Sequence, residues 1–326
     1  MEKITDRGHG ILTYLYTHKE QNTMILFQQM LIMFLFVIAG YICGKKKVFS
    51  TESTSAFSWI IVNLANPALI INASLTNCHS VSIADLGFIF FTALILYAIL
   101  ILLAFVVPFA IKSPEGDRGV YSMMIVFSNI AFMGFPILNA TFGSKAVLFG
   151  SAFLLPFNIL IYTYGIRMMG KKTGSQKFDP KKFLNVGVCS CLAALLVYII
   201  KPADFYVVTN FLTFMGNLAL ALSMMVIGHS LLSINIRGLF LDIRLISFSL
   251  IKLILIPMIV LSLANFFIED KMLKGVLIVI SSAPVASMVP LMAQQYGGNY
   301  EQSSKGVALT TILSVFTMPL INFFFS

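Results

Sequence analysis

Ten stretches of this chain contain no Asp, Glu, Lys or Arg, and nearly all are long enough to cross a bilayer. A membrane-spanning helix needs about 20 predominantly apolar residues. The stretches are 21–44, 53–84, 86–111, 119–144, 146–166, 183–200, 205–236, 253–268, 275–300 and 306–326. The short one, 253–268, extends back past Lys252 to about Leu245, which leaves Lys252 within the span. We therefore predict an all-α polytopic membrane protein with ten transmembrane helices.

The basic residues predict how these spans are oriented. With the N-terminus outside, fourteen Lys and Arg side chains lie in inside loops, four in outside loops and three in the N-terminal tail. Cytoplasmic loops of membrane proteins carry an excess of Lys and Arg. We therefore predict a multi-pass plasma-membrane protein with both termini outside and a basic cytoplasmic loop at 170–182. The net charge of +9 lies between apolar runs rather than on a soluble basic surface, so no nucleic-acid partner is expected.

The two halves of the chain match at a constant offset of 154 residues. The matched elements are Asn63-Leu64-Ala65 with Asn217-Leu218-Ala219, Ser128 with Ser282, Pro136 with Pro290, and Gly143 with Gly297. Five spans per half is an odd number, so the second half is predicted to enter the membrane inverted, as in many secondary transporters. The predicted parts are a polar N-terminal extension (1–23), a first repeat (24–169), the basic loop (170–182) and a second repeat (183–326).

The fourth and ninth spans, which this offset relates, both contain helix-breaking residues. Proline removes a backbone donor and clashes with the preceding turn, and unwound backbone at membrane depth is tolerated only where it is buried or lines a cavity. The half-helix N-termini formed there would suit a small anion such as a carboxylate. A plain proline kink is the alternative. The candidate substrate-binding residues in these spans are Asn129, Gly134, Pro136, Ser282, Pro284, Ser287 and Pro290, with Pro284 and Pro290 competing for the ninth-span break.

Three polar residues in other spans complete the candidate site. Asn66 and Asn158 either line the cavity or form ordinary hydrogen bonds between helices. Lys252 is either a countercharge for the substrate or a side chain that snorkels to the cytoplasmic interface. None of the thirteen acidic residues lies near the middle of a span. Coupling through a buried carboxylate is therefore not expected, and an anionic substrate is favoured.

The stretch Asn129–Pro136, with Phe142-Gly143, resembles the fourth-span signature of the auxin efflux carrier family, which includes the plant PIN-formed carriers. Gly40-Tyr41 before a Lys-rich turn and Asn63–Pro67 are also similar to this family, and the short central loop resembles its bacterial members. The resemblance implies a bile-acid-symporter-like (NhaA-like) fold with two inverted five-helix repeats and broken helices 4 and 9 crossing. It also implies a dimerising scaffold of spans 1, 2, 6 and 7, and elevator-type export or exchange of small organic anions by spans 3–5 and 8–10.

The predicted function is secondary transport of small organic anions or carboxylates, by efflux or exchange, with an elevator-type mechanism and no buried-carboxylate coupling site. The alternatives are a sodium- or proton-coupled symporter of related fold and a non-transporting membrane receptor for a metabolite. No H-E-x-x-H, G-x-S-x-G or P-loop motif occurs, so enzyme activity is not expected. No cofactor or metal is expected either, and the expected partners are the anion, the lipid bilayer and a second copy of the chain.

Overall fold

The computed structural model describes residues 28–29, 31–169, 185–202, 206–233 and 239–325. Helices make up most of these ranges, in the order α1 Leu31–Lys45, α2 Glu52–Asn77, α3 Ile83–Ala110, α4 Arg118–Val126, α5 Ile130–Phe142, α6 Ser144–Met169, α7 Val186–Ile200, α8 Tyr206–Ser230, α9 Ile243–Phe267, α10 Lys271–Ser282, α11 Met288–Tyr296 and α12 Tyr300–Phe325. The predicted N-terminal extension 1–23 and the basic loop 170–182 lie outside the described residues.

Six of these helices are long and apolar enough to cross a membrane: α2, α3, α6, α8, α9 and α12. Three shorter apolar helices, α1, α5 and α7, accompany them. The structure therefore confirms an all-helical protein with several membrane-spanning segments. Each of these helices falls largely within one of the charge-free stretches, because a helix crossing lipid cannot leave charged side chains unsolvated.

Short polar side chains fix where several helices begin. Ser82 accepts a hydrogen bond from the backbone N–H of Asp85 at 3.0 Å, and the Asp85 carboxylate accepts one from the N–H of Ser82 at 3.0 Å. Asp242 and Asp270 accept hydrogen bonds from the first turns of α9 and α10 in the same way. Such caps satisfy backbone donors that a helix start leaves free, and a carboxylate also complements the helix dipole.

A glycine follows the last residue of α5 and of α11, the helices that form the second halves of the two interrupted spans. Gly143 follows α5 with φ 79°, and Gly297 follows α11 with φ 84°. This left-handed region is readily open only to glycine, so both positions need it. These two residues are also related by the 154-residue offset. The same sequence signal therefore ends the same element in each half.

The core of the protein is built around α4 and α10. Every residue from Val120 to Val126 in α4 is buried, and so is every residue from Gly275 to Ser282 in α10. By contrast, α3 and α8 turn large apolar side chains outward, among them Phe105 and Phe214. An apolar exterior around a packed interior is what a lipid environment selects. The helices with the interrupted sequences thus occupy the interior.

Helices α1 and α8 approach each other closely enough that Gly40 and Gly228 are both required where the helices meet. A Cβ atom built on Gly228 would lie 2.0 Å from the carbonyl oxygen of Val37. No rearrangement of a side chain could relieve that contact, since the atom it meets belongs to the backbone. Small residues allow close approach between helices in membranes, where dispersion contacts replace the hydrophobic effect.

Candidate functional site: the paired helix breaks

The chain leaves the helical conformation twice in the protein interior, and the two breaks pair with each other. Ser128 and Val285 form an isolated antiparallel β-bridge. The N–H of Asn129 donates to the carbonyl of Pro284 at 2.8 Å, and the N–H of Ala286 donates to the carbonyl of Phe127 at 2.9 Å. These two hydrogen bonds satisfy backbone groups that would otherwise be unpaired in the interior. The break between α4 and α5 therefore contacts the break between α10 and α11.

The position of each proline decides between the readings that the sequence left open. Pro284 lies in the unwound segment after Ala283, whose extended backbone (φ −63°, ψ 145°) is the conformation that a following proline favours. Pro290 lies in the first turn of α11, where proline fits a helix well. Pro136 lies in the middle of α5, directly after its π-helical segment Ile130–Gly134 and beyond the break. The break in the predicted ninth span is therefore at Pro284. The interpretation as a plain proline kink is wrong for both spans, because in each of them the chain leaves the helical conformation altogether.

Polar side chains close the remaining hydrogen bonds around the breaks. Asn129 caps α5, since its Oδ1 accepts from the N–H of Phe132 at 3.2 Å. Its Nδ2 reaches Ser287 Oγ across the crossing at 3.5 Å, a long contact. The N–H of Val285 donates to Thr310 Oγ1 of α12 at 3.1 Å. The N-termini of α5 and α11 thus begin beside each other, and each contributes partial positive charge to the crossing.

Lys252 brings a full positive charge to the same place. Its side chain is completely buried, and its Nζ donates to the carbonyl of Ile125 and to Ser128 Oγ, both at 2.8 Å. Ile125 lies in the last turn of α4, whose carbonyl end attracts a cation. Lys252 itself lies on a π-helical turn of α9, Ile251–Leu255, a local widening that is frequent at functional sites. The snorkelling alternative is therefore wrong, because the ammonium points into the crossing.

The described residues give Lys252 no acidic partner. Lys252 is the one charged side chain among the buried residues in the described ranges. The ion pairs found there, Arg118–Glu115 and Lys305–Glu301, both lie at the surface. A buried ammonium with only neutral acceptors keeps a large desolvation cost. An anion placed beside it would offset that cost.

Other predicted site residues occupy different places. Asn158 donates to the carbonyl of Leu154 in its own helix at 2.8 Å and accepts from Asn185 Nδ2 at 2.8 Å, so its contacts join α6 to the start of α7. Asn66 lies in α2 with its Oδ1 buried and without a hydrogen-bond partner. The hydroxyl of Ser282 bonds the carbonyl of Ile278 in α10. None of these hydrogen bonds joins the two breaks.

Gly134 and Pro136 lie in the buried part of α5 just beyond the crossing. The N–H of Gly134 donates to the carbonyl of Asn129 at 2.9 Å, which ties the unwound segment to the helix that follows it. A Cβ atom on Gly134 would meet only atoms 3.6 Å away or farther, so packing alone does not require glycine there. We attribute no separate contact with the opposite break to either residue.

Sequence reasoning missed two groups that complete the crossing. Thr310 belongs to a run of small polar residues in the tenth span, Thr310, Thr311 and Ser314, and that run was the available signal. The Ile125 carbonyl had no signal of its own, since any helix end presents free carbonyls. Ser128 was identified as a repeat position, and the structure adds that its hydroxyl accepts from Lys252.

A helical membrane protein whose two interrupted helices pair in its interior has a construction found in membrane transporters. The comparison with protein families agrees with a membrane transporter. The family model described as membrane transport protein matches residues 25–184 and 180–322. The chain belongs to this family, which is the auxin efflux carrier family. No curated protein matches the chain significantly.

Proposed function

We propose that the protein is a secondary carrier for small organic anions, by efflux or exchange, and that it binds the anion at the paired helix breaks. The observation that carries the proposal is the buried ammonium of Lys252. The Ile125 carbonyl and the Ser128 hydroxyl hold it, and no carboxylate among the described residues pairs with it. The N-termini of α5 and α11 add partial positive charge there. A small carboxylate is the ligand that matches both features.

We propose that the protein consists of two inverted five-helix repeats and that spans 3–5 and 8–10 move against spans 1, 2, 6 and 7 in an elevator-type motion. Two observations support the repeat: the constant 154-residue offset, and the glycines with positive φ that follow α5 and α11. The two halves differ in the buried positive charge, because the 154-residue offset relates Lys252 to Ala98, which is uncharged. One half therefore supplies the cation, and both halves supply helix N-termini.

The same proposal includes the setting of the carrier. The excess of Lys and Arg in alternate loops supports a plasma-membrane orientation with both termini outside and the loop 170–182 cytoplasmic. A homodimer and a non-enzymatic role belong to the proposal as well. A fixed internal cation makes a coupling cation unnecessary for binding an anion. We therefore favour uniport or exchange over sodium- or proton-coupled symport, and transport over metabolite sensing without flux.

Flux through purified protein in liposomes tests this proposal. Vesicles are loaded with an unlabelled mono- or dicarboxylate, and uptake of the labelled acid is followed with and without sodium and proton gradients. The proposal expects uptake that proceeds without either gradient; an exchanger also needs the internal carboxylate, whereas a uniporter does not. Strict dependence on a sodium or proton gradient would support the symporter instead. Tight carboxylate binding without any flux would support the receptor.

A further inference from the structure

A second cationic site lies away from the helix breaks, where α3 ends, α4 begins and α6 ends. A cavity of about 220 Å³ opens there between the three helices. Two arginines contribute to its wall, Arg118 from the first residue of α4 and Arg167 from the last turn of α6. Because α3 ends at Ala110, the cavity lies near the level where polar headgroups begin if α3 and α6 span a bilayer.

The lining of this cavity combines charge with apolar surface. Phe105 and Phe109 of α3 form one wall, and their side chains are 54% and 59% exposed. The Arg118 guanidinium lies 4.4 Å from the centre of the Phe109 ring. Ser122 of α4 also lines the cavity, and its hydroxyl donates to the Ala104 carbonyl of α3 at 2.9 Å. An amphipathic ligand with an anionic head and acyl chains matches this division better than a free anion does.

The hydrogen-bonding capacity of Arg118 is only partly used. Its Nε is buried without a partner, and Glu115 meets its Nη1 at 3.4 Å. That ion pair is exposed at the surface, so it contributes little. The neighbouring carboxylate of Asp117 accepts from Asn299 Nδ2 at 2.9 Å and does not cap α4. The backbone N–H of Arg118 already donates to the Glu115 carbonyl, so Arg118 Nε is the donor for which a ligand could supply an acceptor.

A close contact between α4 and α6 holds the two arginines at one cavity. A Cβ atom on Gly119 would lie 2.0 Å from the carbonyl oxygen of Met168. The two backbones therefore touch at the residues that directly follow Arg118 and Arg167. This spacing places the charges on one site rather than on separate surfaces. Basic pockets between transmembrane helices are a recognised arrangement for anionic lipid headgroups.

We propose that this cavity binds the phosphate of an anionic phospholipid, with Arg118 and Arg167 as the headgroup ligands and the exposed face of α3 against the acyl chains. The site is separate from the helix breaks and does not depend on the proposed transport function. An arginine near a charged lipid surface contributes about fivefold to affinity, so removing both should weaken binding about thirtyfold.

Native mass spectrometry of the detergent-purified full chain tests this proposal. The protein is incubated with phosphatidylglycerol or with phosphatidylcholine of the same acyl chains. We expect phosphatidylglycerol adducts to predominate, and the double variant Arg118→Gln/Arg167→Gln to lose that preference. The variant Arg118→Lys/Arg167→Lys should keep most of it, because it retains both charges. Lys112→Gln, which removes an exposed cation from the α3–α4 connection, is the matched control.

Three results would overturn the lipid site. They are equal binding of the two lipids by the wild-type chain, an equal loss of preference in the Lys112→Gln control, and displacement of the lipid by millimolar inorganic phosphate. The last result would identify a free-phosphate site. Native spectra also report whether the double variant is folded; if it is not, the single variant Arg167→Gln, at an exposed residue, provides the comparison.

Discussion

Replacing Lys252 with methionine should remove anion binding while leaving the fold nearly as stable as before. Methionine has a similar length and an apolar, adaptable chain, so it fills the space of the lysine stem without a charge. The substitution deletes two hydrogen bonds, to the Ile125 carbonyl and to Ser128 Oγ, each 2.8 Å long. It also deletes the one buried charge among the described residues.

The expected stability change is the small difference between two larger contributions. Hydrogen bonds from a charged group contribute about 1.5–3 kcal/mol each, so two of them are worth roughly 3–6 kcal/mol. Burying an unpaired ammonium costs several kcal/mol, and that cost disappears with the charge. The two contributions offset each other to within about 2 kcal/mol in the free energy of unfolding. The melting temperature should therefore move by only a few degrees.

The expected change in affinity is much larger. Two unit charges about 4 Å apart attract by about 4 kcal/mol at an effective dielectric constant near 20. Losing that attraction raises the dissociation constant of a carboxylate about a thousandfold. Lys252→Arg retains the charge and should lose much less affinity. The larger guanidinium must still fit a completely buried position, so some loss is expected there as well.

Thermal unfolding and carboxylate exchange in liposomes measure the two effects on the same preparations. Lys271→Met is the matched control, since it removes an exposed lysine at the start of α10 by the same substitution. We expect Lys252→Met to melt near the wild type and to lose exchange, and Lys271→Met to keep both. Wild-type exchange by Lys252→Met at low substrate concentration would refute the assignment of the charge.

Three further predictions concern the packing that holds the breaks and helices in place. Asn129→Ala removes the cap of α5 and should lower stability by about 0.5–2 kcal/mol, measured by thermal unfolding. Thr310→Val leaves the buried N–H of Val285 without its acceptor and should cost about 1–3 kcal/mol, visible as faster hydrogen exchange at the crossing. Gly228→Ala should destabilise the protein strongly because the new Cβ would meet backbone atoms. Gly87→Ala places its Cβ in open space and should stabilise α3 by about 0.5–1 kcal/mol. Equal melting temperatures for the two variants would contradict this explanation.

The sequence was sufficient to predict where the helices lie and which of them are interrupted. Charge exclusion from lipid is a strong constraint, and it fixed segments such as α3 to within a few residues of the charge-free stretch 86–111. Proline and Asn/Ser at related positions predicted both interruptions. The choice between Pro284 and Pro290 needed the structure, because proline fits the first turn of a helix as well as a break.

The surroundings of Lys252 could not be predicted from the sequence. Hydropathy places this residue near a span end, where snorkelling is common. Whether the side chain turns outward or inward depends on acceptors more than 120 residues away, Ile125 and Ser128. For Asn158 the sequence left cavity lining and hydrogen bonding between helices open, and its bond to Asn185 appears only in the structure. Long-range contacts of this kind leave no local pattern in the chain.

The central claim is that the paired breaks bind a negative charge next to Lys252. Its most direct test compares a carboxylate that the protein exchanges with its primary amide, which has nearly the same shape and no charge, by titration calorimetry on the purified chain. The account predicts that the acid binds and the amide does not, and that Lys252→Met binds neither. Equal affinity of the wild-type protein for the acid and the amide would contradict it.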